Sequence, residues 1–329
     1  MNEAKDRSII VSIVMPVYNE ERYIESCIAS LLQQDFPKKQ MEWIFVDGGS
    51  SDDTVPIIKH YMNKHPELIK LYDNPNKTVP YAMNIGIKAS VGKYIIRLDA
   101  HSEYAKDYIS KCVYYLENTD ADNVGGVVET KGKGYMGKAI ALMLSSKFGV
   151  GNSQFRTNGK GGYVDTVPFG AFRREVFEKY GLYNEKLTRN QDNELNYRIR
   201  KNGGKIYMAK DIKVTYYCRD TIKGIARMAI KNGKWNVITM KMCPGAMGVR
   251  HFVPLVFLLS LITLPLLSIF IKSFIYLVLC EIALYVLLDL IYSIKAVKEV
   301  KQIPLLFILF PIFHLSYGFG SLIGLAKKI

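Results

Sequence analysis

Cysteine is sparse and unpatterned in this 329-residue chain: Cys27, Cys112, Cys218, Cys243 and Cys280 form no Cys-x-x-Cys pair and no metal-ligand spacing. A disulfide-stapled fold and a thiolate metal site are excluded on that count, and the five read as reduced filler. No secretory signal precedes the first apolar run, because Met1 to Arg7 is polar and charged. The amino-terminal part is therefore expected to stay in the cytoplasm. No internal repeat and no low-complexity linker interrupts the chain. Acidic residues are outnumbered, 30 against 44 Lys and Arg, which leaves a net charge of +14 and a pI near 9.3. Such a balance suits an anionic partner, a pyrophosphate or an acidic membrane surface. Nucleic acid is disfavoured, since the basic residues are spread along the chain rather than gathered.

What is present begins with alternation. The run IIVSIVMPV, Ile9 to Val17, reads as a buried strand, and Asn19-Glu20-Glu21 is placed to cap a helix with the apolar stripe Ile24, Ile28, Leu31 and Leu32. The cycle repeats as strand Trp43 to Val46, helix Thr54 to Tyr61, strand Ile69 to Tyr72, helix Pro80 to Ala89 and strand Tyr94 to Leu98. This order predicts a mostly parallel sheet with helices on both faces. A helix near Asp107 to Glu117 and a strand near Val124 to Glu129 follow, then a Gly- and Lys-rich stretch, Lys131 to Gly162, expected to be functional and partly helical at Ala139 to Ser146.

Two short acidic motifs sit just after strands of this series, Asp47-Gly48-Gly49-Ser50-Ser51-Asp52 and Asp99-Ala100-His101. Ligands of a parallel α/β sheet collect beyond the carboxyl ends of its strands, so the two motifs together describe a nucleotide and metal site. An enzyme is the expectation. Asp52 is read as the cap of the helix at Thr54.

Past about residue 250 the composition changes. Val253 to Ile271, Phe274 to Ile294 and Pro304 to Ala326 are near-continuous apolar runs of roughly bilayer-spanning length. Ahead of them, Thr221 to Trp235 sets Ile222, Ile225, Ala226 and Ala229 on one helical face with Lys223, Arg227, Lys231 and Lys234 alongside. A basic amphipathic helix there is expected to lie in the headgroup plane on anionic lipid, the plainer alternative being a docked surface helix. Three spans would place Lys327 and Lys328 outside, against the positive-inside rule that Lys295, Lys298 and Lys301 obey; the last segment is otherwise re-entrant. Glu281 and Asp289 in the second span are costly in lipid and are expected to face protein or water.

Pro16-Val17-Tyr18-Asn19-Glu20, VDGGSSDDT from Val46 to Thr54, LDAH from Leu98 to His101 and QDNEL from Gln191 to Leu195 occur in the order of the family 2 glycosyltransferases, which this chain resembles over about its first two thirds. VDTVPFGAFRREVF, Val164 to Phe177, further resembles the succinoglycan-type exopolysaccharide branch. The resemblance implies a GT-A nucleotide-diphospho-sugar transferase fold with carboxy-terminal membrane helices.

The same resemblance assigns roles. Asp47 would contact the nucleoside, with Pro16, Tyr18 and Glu20 beside the base, although Gly48 replaces a second Asp often found there. Asn84 and Gly86 stand where relatives approach ribose and phosphates, helix packing being the equal alternative. Gly170 would admit backbone close to the sugar or acceptor. Arg97 would neutralise phosphate. Asp99 and His101 would hold a divalent metal, Mn²⁺ or Mg²⁺; imidazole in place of the usual second carboxylate tilts the choice toward Mn²⁺. The alternative for His101 is a turn cap. Asp192 would be the general base. Gln191, where relatives carry Glu, leaves Asp192 without that neighbouring carboxylate and its upward push on the pKa. Glu194 with Arg198 reads as an i, i+4 helix pair. Lys231, Gly233 and Trp235 stand where processive synthases carry Gln-x-x-Arg-Trp, which is absent, so a single transfer is expected.

The sequence therefore predicts a cytoplasmic GT-A head at 1–218, an interfacial segment at 219–250 and a membrane domain of two to three helices at 251–329, a multi-pass protein of the cell membrane. The expected reaction moves one sugar, with inversion, from a nucleotide-diphospho-sugar such as a UDP-sugar to a lipid-linked saccharide. A polyprenyl-phosphate sugar synthase and a non-catalytic nucleotide-binding scaffold are the alternatives. Enclosing a wide polysaccharide channel would require a homo-oligomer.

Overall fold

A computed structural model describes residues 8–157, 159–297 and 299–328. Lys298 and the segment Met1 to Arg7, both read above, lie outside the described residues. Strands and helices alternate at first: β1 Val11–Val17, α1 Ile24–Leu32, β2 Met41–Asp47, α2 Thr54–Lys64, β3 Ile69–Asp73, α3 Val79–Ala89 and β4 Tyr94–Arg97. Then come β5 Ser102–Tyr104, α4 Tyr108–Asn118, β6 Asn123–Lys131, α5 Gly134–Ser145, α6 Lys147–Val150, β7 Gly162–Tyr163, β8 Ala171–Arg173, α7 Glu175–Tyr180, α8 Gln191–Lys201 and β9 Ile206–Tyr217. The last four helices are α9 Ile222–Met242, α10 Val253–Ser268, α11 Phe274–Ala296 and α12 Ile303–Ala326. The chain divides into two compact units, 8–129 with 159–216, and 130–157 with 217–328. The Gly- and Lys-rich stretch thus belongs with the carboxy-terminal helices, and α5 and α6 make it largely helical.

In the first unit the described strands form one sheet in the order β3-β2-β1-β4-β8-β6-β9-β5, with β7 added on β9. The four strands β3, β2, β1 and β4 are parallel, Val17 aligning with Asp47 across β1 and β2. The strands β1 and β2 are buried almost throughout, as parallel strands covered on both faces must be. Beyond β4 the pairings with β8, and of β5 and β7 with β9, are antiparallel. The sheet is therefore mixed, where the sequence predicted mostly parallel. The difference lies in β5, β7 and β8, which are two or three residues long and too short to show a hydrophobic period, and in the twelve-residue β9, which is not among the strands expected from the sequence.

Helix α3 lies close against β1 because Gly86 has no side chain: a Cβ there would sit 2.4 Å from Val14 Cγ1. Helix α1 starts without a side-chain cap, contrary to the expectation for Asn19 to Glu21. The amides of Tyr23 and Ile24 bond instead to the Glu20 carbonyl, both at 2.9 Å.

In the second unit, Ala139, Ile140, Met143 and Leu144 of α5, Ile225 and Ala229 of α9 and Leu306, Leu309, Phe310 and Phe313 of α12 share one core. Among the described residues, α11 and the segment Val300–Ala326 are long and apolar enough to cross a membrane, and α10 is shorter at 16 residues. Glu281 pairs with Ser260 of α10, and Asp289 accepts from Ser293 at 3.0 Å, so both acids meet protein groups.

Candidate functional site

The carboxyl ends of β1, β2 and β4 lie side by side, and the chain leaves each through a polar loop. Two of these loops are stitched together. Asn19, at φ 54°, donates its amide to Ser50 Oγ at 2.9 Å and accepts the Ser51 amide on Oδ1 at 2.9 Å. The Glu20 amide donates to Thr54 Oγ1 at 2.7 Å, and the Glu21 amide to Asp52 Oδ2 at 3.1 Å. Asp52 also accepts from the amide and hydroxyl of Thr54, at 3.1 and 2.6 Å, which caps the first turn of α2. Asn19 is thus spent on this stitch rather than on α1.

Asp47 is buried, and its carboxylate accepts from the amides of Gly49 and Ser50 at 3.0 and 3.1 Å and from Ser50 Oγ at 2.6 Å. Its first task in the fold is to shape its own loop. A Cβ on Gly48 would meet the Tyr18 ring at 3.5 Å, an ordinary contact, so lack of space does not explain the missing second Asp.

Around these loops opens a cleft of about 490 Å³ lined by Pro16, Tyr18, Glu20, Arg97, Asp99 and His101 among others. Tyr18 leaves 54% of its surface exposed there, an aromatic face available for stacking. Four of the residues expected beside nucleotide or metal therefore converge with Tyr18 and Pro16 in one place. Tyr104 of β5 fixes the turn that presents Asp99: its hydroxyl accepts the Asp99 amide at 2.8 Å and donates to the Asp99 carbonyl at 3.1 Å. His101 Nδ1 lies 3.2 Å from Glu20 Oε1, which orients the ring, and its edge meets the Tyr216 ring at 5.8 Å. Among the described residues no group of three or more His, Cys, Asp and Glu is placed to hold a metal ion. Asp99 and His101 offer two donors.

Arg97 ends β4 with its side chain almost fully buried and is shared by two carboxylates. One terminal nitrogen bonds to Asp192 and the other lies 3.3 Å from Asp99 Oδ1. Burial opposes its charge, but Asp192 and Asp99 outweigh burial and hold the guanidinium protonated. Asp192 stands in the first turn of α8, entered through the left-handed Asn190 at φ 61°. Partial burial raises the Asp192 carboxyl from its ordinary value although 35% of the side chain stays exposed; Arg97 pulls it down in part, and Asp99 adds to the rise. The neighbouring carboxylate missing at Gln191 is thus supplied by Asp99, from the loop after β4.

Other expected residues are engaged elsewhere. The Asn84 amide donates to the Tyr183 carbonyl and to Glu185 Oε1, both at 2.9 Å, and Asn84 Oδ1 accepts the Tyr183 amide at 3.0 Å. These bonds tie α3 to the chain after α7, the packing alternative. A Cβ on Gly170 would sit 2.4 Å from Asn123 Oδ1, so that glycine also serves packing. Glu194 holds Arg198 at 2.8 Å within α8. Sequence reasoning missed Asn74 and Lys77, which line the cleft from the turn after β3. Asn74 donates its side-chain amide to the Thr78 carbonyl at 2.9 Å, and Lys77, at φ 58°, passes near Gly49. The Asn-Pro-Asn-Lys turn directly after a parallel strand was the available signal.

This geometry agrees with what the chain is similar to. The family model for glycosyl transferase family 2 matches residues 12–181. A dolichyl N-acetyl-alpha-D-glucosaminyl phosphate glucuronosyltransferase of Methanococcus voltae is 30% identical over 230 residues, 68% of this chain and 71% of that one. The succinoglycan biosynthesis protein ExoA of Rhizobium meliloti is 34% identical over 210 residues, 63% of each chain and so a little under two thirds of that protein. A mannosyltransferase from Pyrobaculum calidifontis, solved with GDP-Man and Mn²⁺, superposes with a TM-score of 0.61 at 16% identity over 97% of this chain and 88% of its own. The fold is GT-A, and by its family model and its relatives the chain belongs to glycosyl transferase family 2.

Proposed function

We propose that this glycosyltransferase moves one sugar from a nucleotide-diphospho-sugar, a UDP-sugar in the first instance, to a hydroxyl of a lipid-linked saccharide at the cytoplasmic membrane surface. The observation that carries this reading is the gathering of Tyr18, Glu20, Arg97, Asp99 and His101 in one cleft at the carboxyl ends of parallel strands, with Asp192 tethered to Arg97. The Methanococcus voltae relative, whose name gives a dolichyl-phosphate-linked saccharide as acceptor, supports the acceptor class. The complex of the Pyrobaculum calidifontis neighbour supports a nucleotide sugar with a divalent ion.

In this mechanism Tyr18 and Pro16 hold the base, Asp47 fixes the loop beneath it, and Arg97 faces the diphosphate. Asp99 and His101, which line the cleft together, would hold a divalent ion. Two protein donors fit a cation that takes its remaining oxygens from diphosphate and water. When bound, that ion offsets the charge that grows on the leaving diphosphate. Asp192 takes the proton of the acceptor hydroxyl, whose oxygen bonds to the anomeric carbon as the bond to the nucleotide diphosphate breaks with its electron pair. One displacement inverts the anomeric centre. Arg97, drawn toward the diphosphate, releases Asp192 from their ion pair. The apolar helices of the second unit anchor the chain in the cell membrane, multi-pass, with the head on the cytoplasmic side.

Calorimetry of the detergent-purified chain with UDP and with GDP, each with and without Mn²⁺, tests the donor site. Metal-dependent UDP binding that Asp99→Ala abolishes is expected. Binding of neither nucleotide to folded protein overturns the reading. Full retention of transfer in Asp192→Asn favours a polyprenyl phosphate acceptor, already anionic and in need of no base.

A further inference from the structure

Helices α9 and α12 touch backbone to backbone, Ile230 to Lys234 of one against Tyr317 to Gly324 of the other. A Cβ on Gly233 would lie 2.0 Å from the Tyr317 carbonyl oxygen, one on Gly320 2.1 Å from that of Ile230, and one on Gly324 2.6 Å from that of Lys234. Small residues at such spacing are what lets two helices share so close a seam. Asn236 bonds to Tyr317 across it. At its end Lys241 Nζ donates to the carbonyls of Gly324, Leu325 and Lys327, at 3.2, 2.6 and 3.0 Å, closing the last turn of α12. The contacts run in step, from Ile225 against the first half of α12 to Lys241 against its end. Whatever depth in a membrane one helix occupies, the other occupies too.

The charges of α9 fix that depth. Lys223, Arg227, Lys231, Lys234 and Lys241 fall within an arc of roughly 80° at 100° per residue, and the first and last stand about 27 Å apart along the axis. Such a stripe nearly equals the thickness of a bilayer's hydrocarbon. Were α12 upright, α9 would carry this stripe through the apolar core, where each cation is costly. Laid flat, Lys223, Arg227, Lys231 and Lys234 reach headgroups at one depth, while Lys241 holds the end of α12.

The exposed apolar surface agrees. On α11 the exposed residues Ile275, Tyr276, Leu277, Leu284 and Leu287 spread over roughly 200° of the helix circumference. On α12, Ile308, Phe319 and Ile323 are exposed within an arc of roughly 60°, and Leu325 is exposed apart from them at the helix end. The apolar window of α12 is 44% buried in protein against 11% for α11. One helix exposes apolar surface over more than half its girth, and the other over a narrower stripe and its end.

We propose that α9 and α12 lie together in the headgroup plane of the cytoplasmic leaflet, on anionic lipid, and that the membrane is crossed only by the hairpin of α10 and α11. The assignment rests on the membrane-anchored reading above. It resolves the conflict over Lys327 and Lys328: they, Arg250, Lys295 and Lys301 all fall on the cytoplasmic side, with Lys272 alone across the membrane.

The test uses the unaltered chain in sealed membrane vesicles of both orientations, with trypsin added outside and the cut sites read by mass spectrometry. In inside-out vesicles, cleavage after Lys301 and Lys327 and none after Lys272 is expected; in right-side-out vesicles, cleavage after Lys272 alone. Cleavage after Lys327 only in right-side-out vesicles would mean that α12 crosses, and cleavage after Lys301 only there would mean an α11–α12 hairpin. Cleavage after Lys272 in inside-out vesicles would mean that the hairpin does not cross. Any of the three overturns the proposal. Cleavage after Lys59, exposed on α2, reports the side of the head independently, so a failure of the cytoplasmic reading is seen separately.

Discussion

Arg97 binds Asp192 across 95 positions of sequence and lies 3.3 Å from Asp99 with its other terminal nitrogen. One buried cation thus couples the residue proposed to meet the diphosphate with the residue proposed to take the acceptor proton. Removing the proton acceptor is expected to damage chemistry rather than donor binding. Asp192→Asn should lower kcat by about 10²- to 10⁴-fold, the usual worth of a positioned base, with the affinity for UDP within a few-fold of the parent. Steady-state kinetics beside calorimetry separates the two, and a loss of UDP binding equal to the loss of rate would place Asp192 in the donor site instead.

The same coupling sets the pH response. Desolvation raises the Asp192 carboxyl and Arg97 lowers it, with a net rise above 3.8. A base must be ionised to work, so the acid limb of kcat/KM, which reports the free enzyme in which Arg97 still holds Asp192, should lie above that of an ordinary carboxylate. Arg97→Gln removes the lowering influence and should move that limb to still higher pH. A profile whose acid limb stays fixed, or moves down, in Arg97→Gln would mean that another group titrates.

Asn84 offers a sharper choice between two roles. Its three hydrogen bonds to Tyr183 and Glu185 make it a pin between α3 and the chain after α7. Asn84→Ala strands the buried Tyr183 amide and is expected to cost about 2 kcal/mol of stability, read as a lower thermal midpoint, with KM for the donor little changed. An unchanged midpoint with a tenfold rise in KM would assign Asn84 to the nucleotide after all.

Why some of this was legible in the sequence and some was not follows from range. The parallel half of the sheet was visible because β1 and β2 are seven-residue, mostly apolar runs, and Asp47 and Asp99 were placed at its edge because each stands at the carboxyl end of its strand. Of the antiparallel half, β6 was visible as the run Val124 to Glu129, whereas β7 has two residues and β5 and β8 have three, and the twelve-residue β9 is interrupted by Lys210, Asp211 and Lys213. Their pairing is decided by tertiary contact rather than by local pattern. The link from Arg97 to Asp192 joins residues that no periodicity relates. Asn19 reads as a helix cap by local chemistry, and only the approach of the Ser50 and Ser51 loop shows why its side chain is used otherwise. The basic face of α9 was legible, and its seam with α12 was not, because Gly233 and Gly320 acquire their meaning from each other's helix.

Glu42 gives the clearest stability test. It pairs from β2 with Ser12 of β1, whose hydroxyl donates to it at 2.6 Å, and it also accepts the Val91 amide and Lys70 Nζ, both at 2.7 Å. Its own burial pushes the carboxyl up, but Lys70, Ser12 and the Val91 amide outweigh that, and the pKa lies below 4.5. A carboxyl whose folded pKa is depressed stabilises the fold when ionised. The contribution is therefore complete above the unfolded value near 4.5 and drains away as pH falls through the folded one. Glu42→Gln at neutral pH should cost about 1 to 3 kcal/mol, since it loses the charge-assisted bonds and presents an amide to the buried Val91 N–H and Lys70. Thermal midpoints of the two chains measured from neutral pH downward should start apart and converge as the parent loses its ionised carboxylate. Midpoints that stay parallel through the carboxylate range would show that the Glu42 cluster is already neutral in the folded chain.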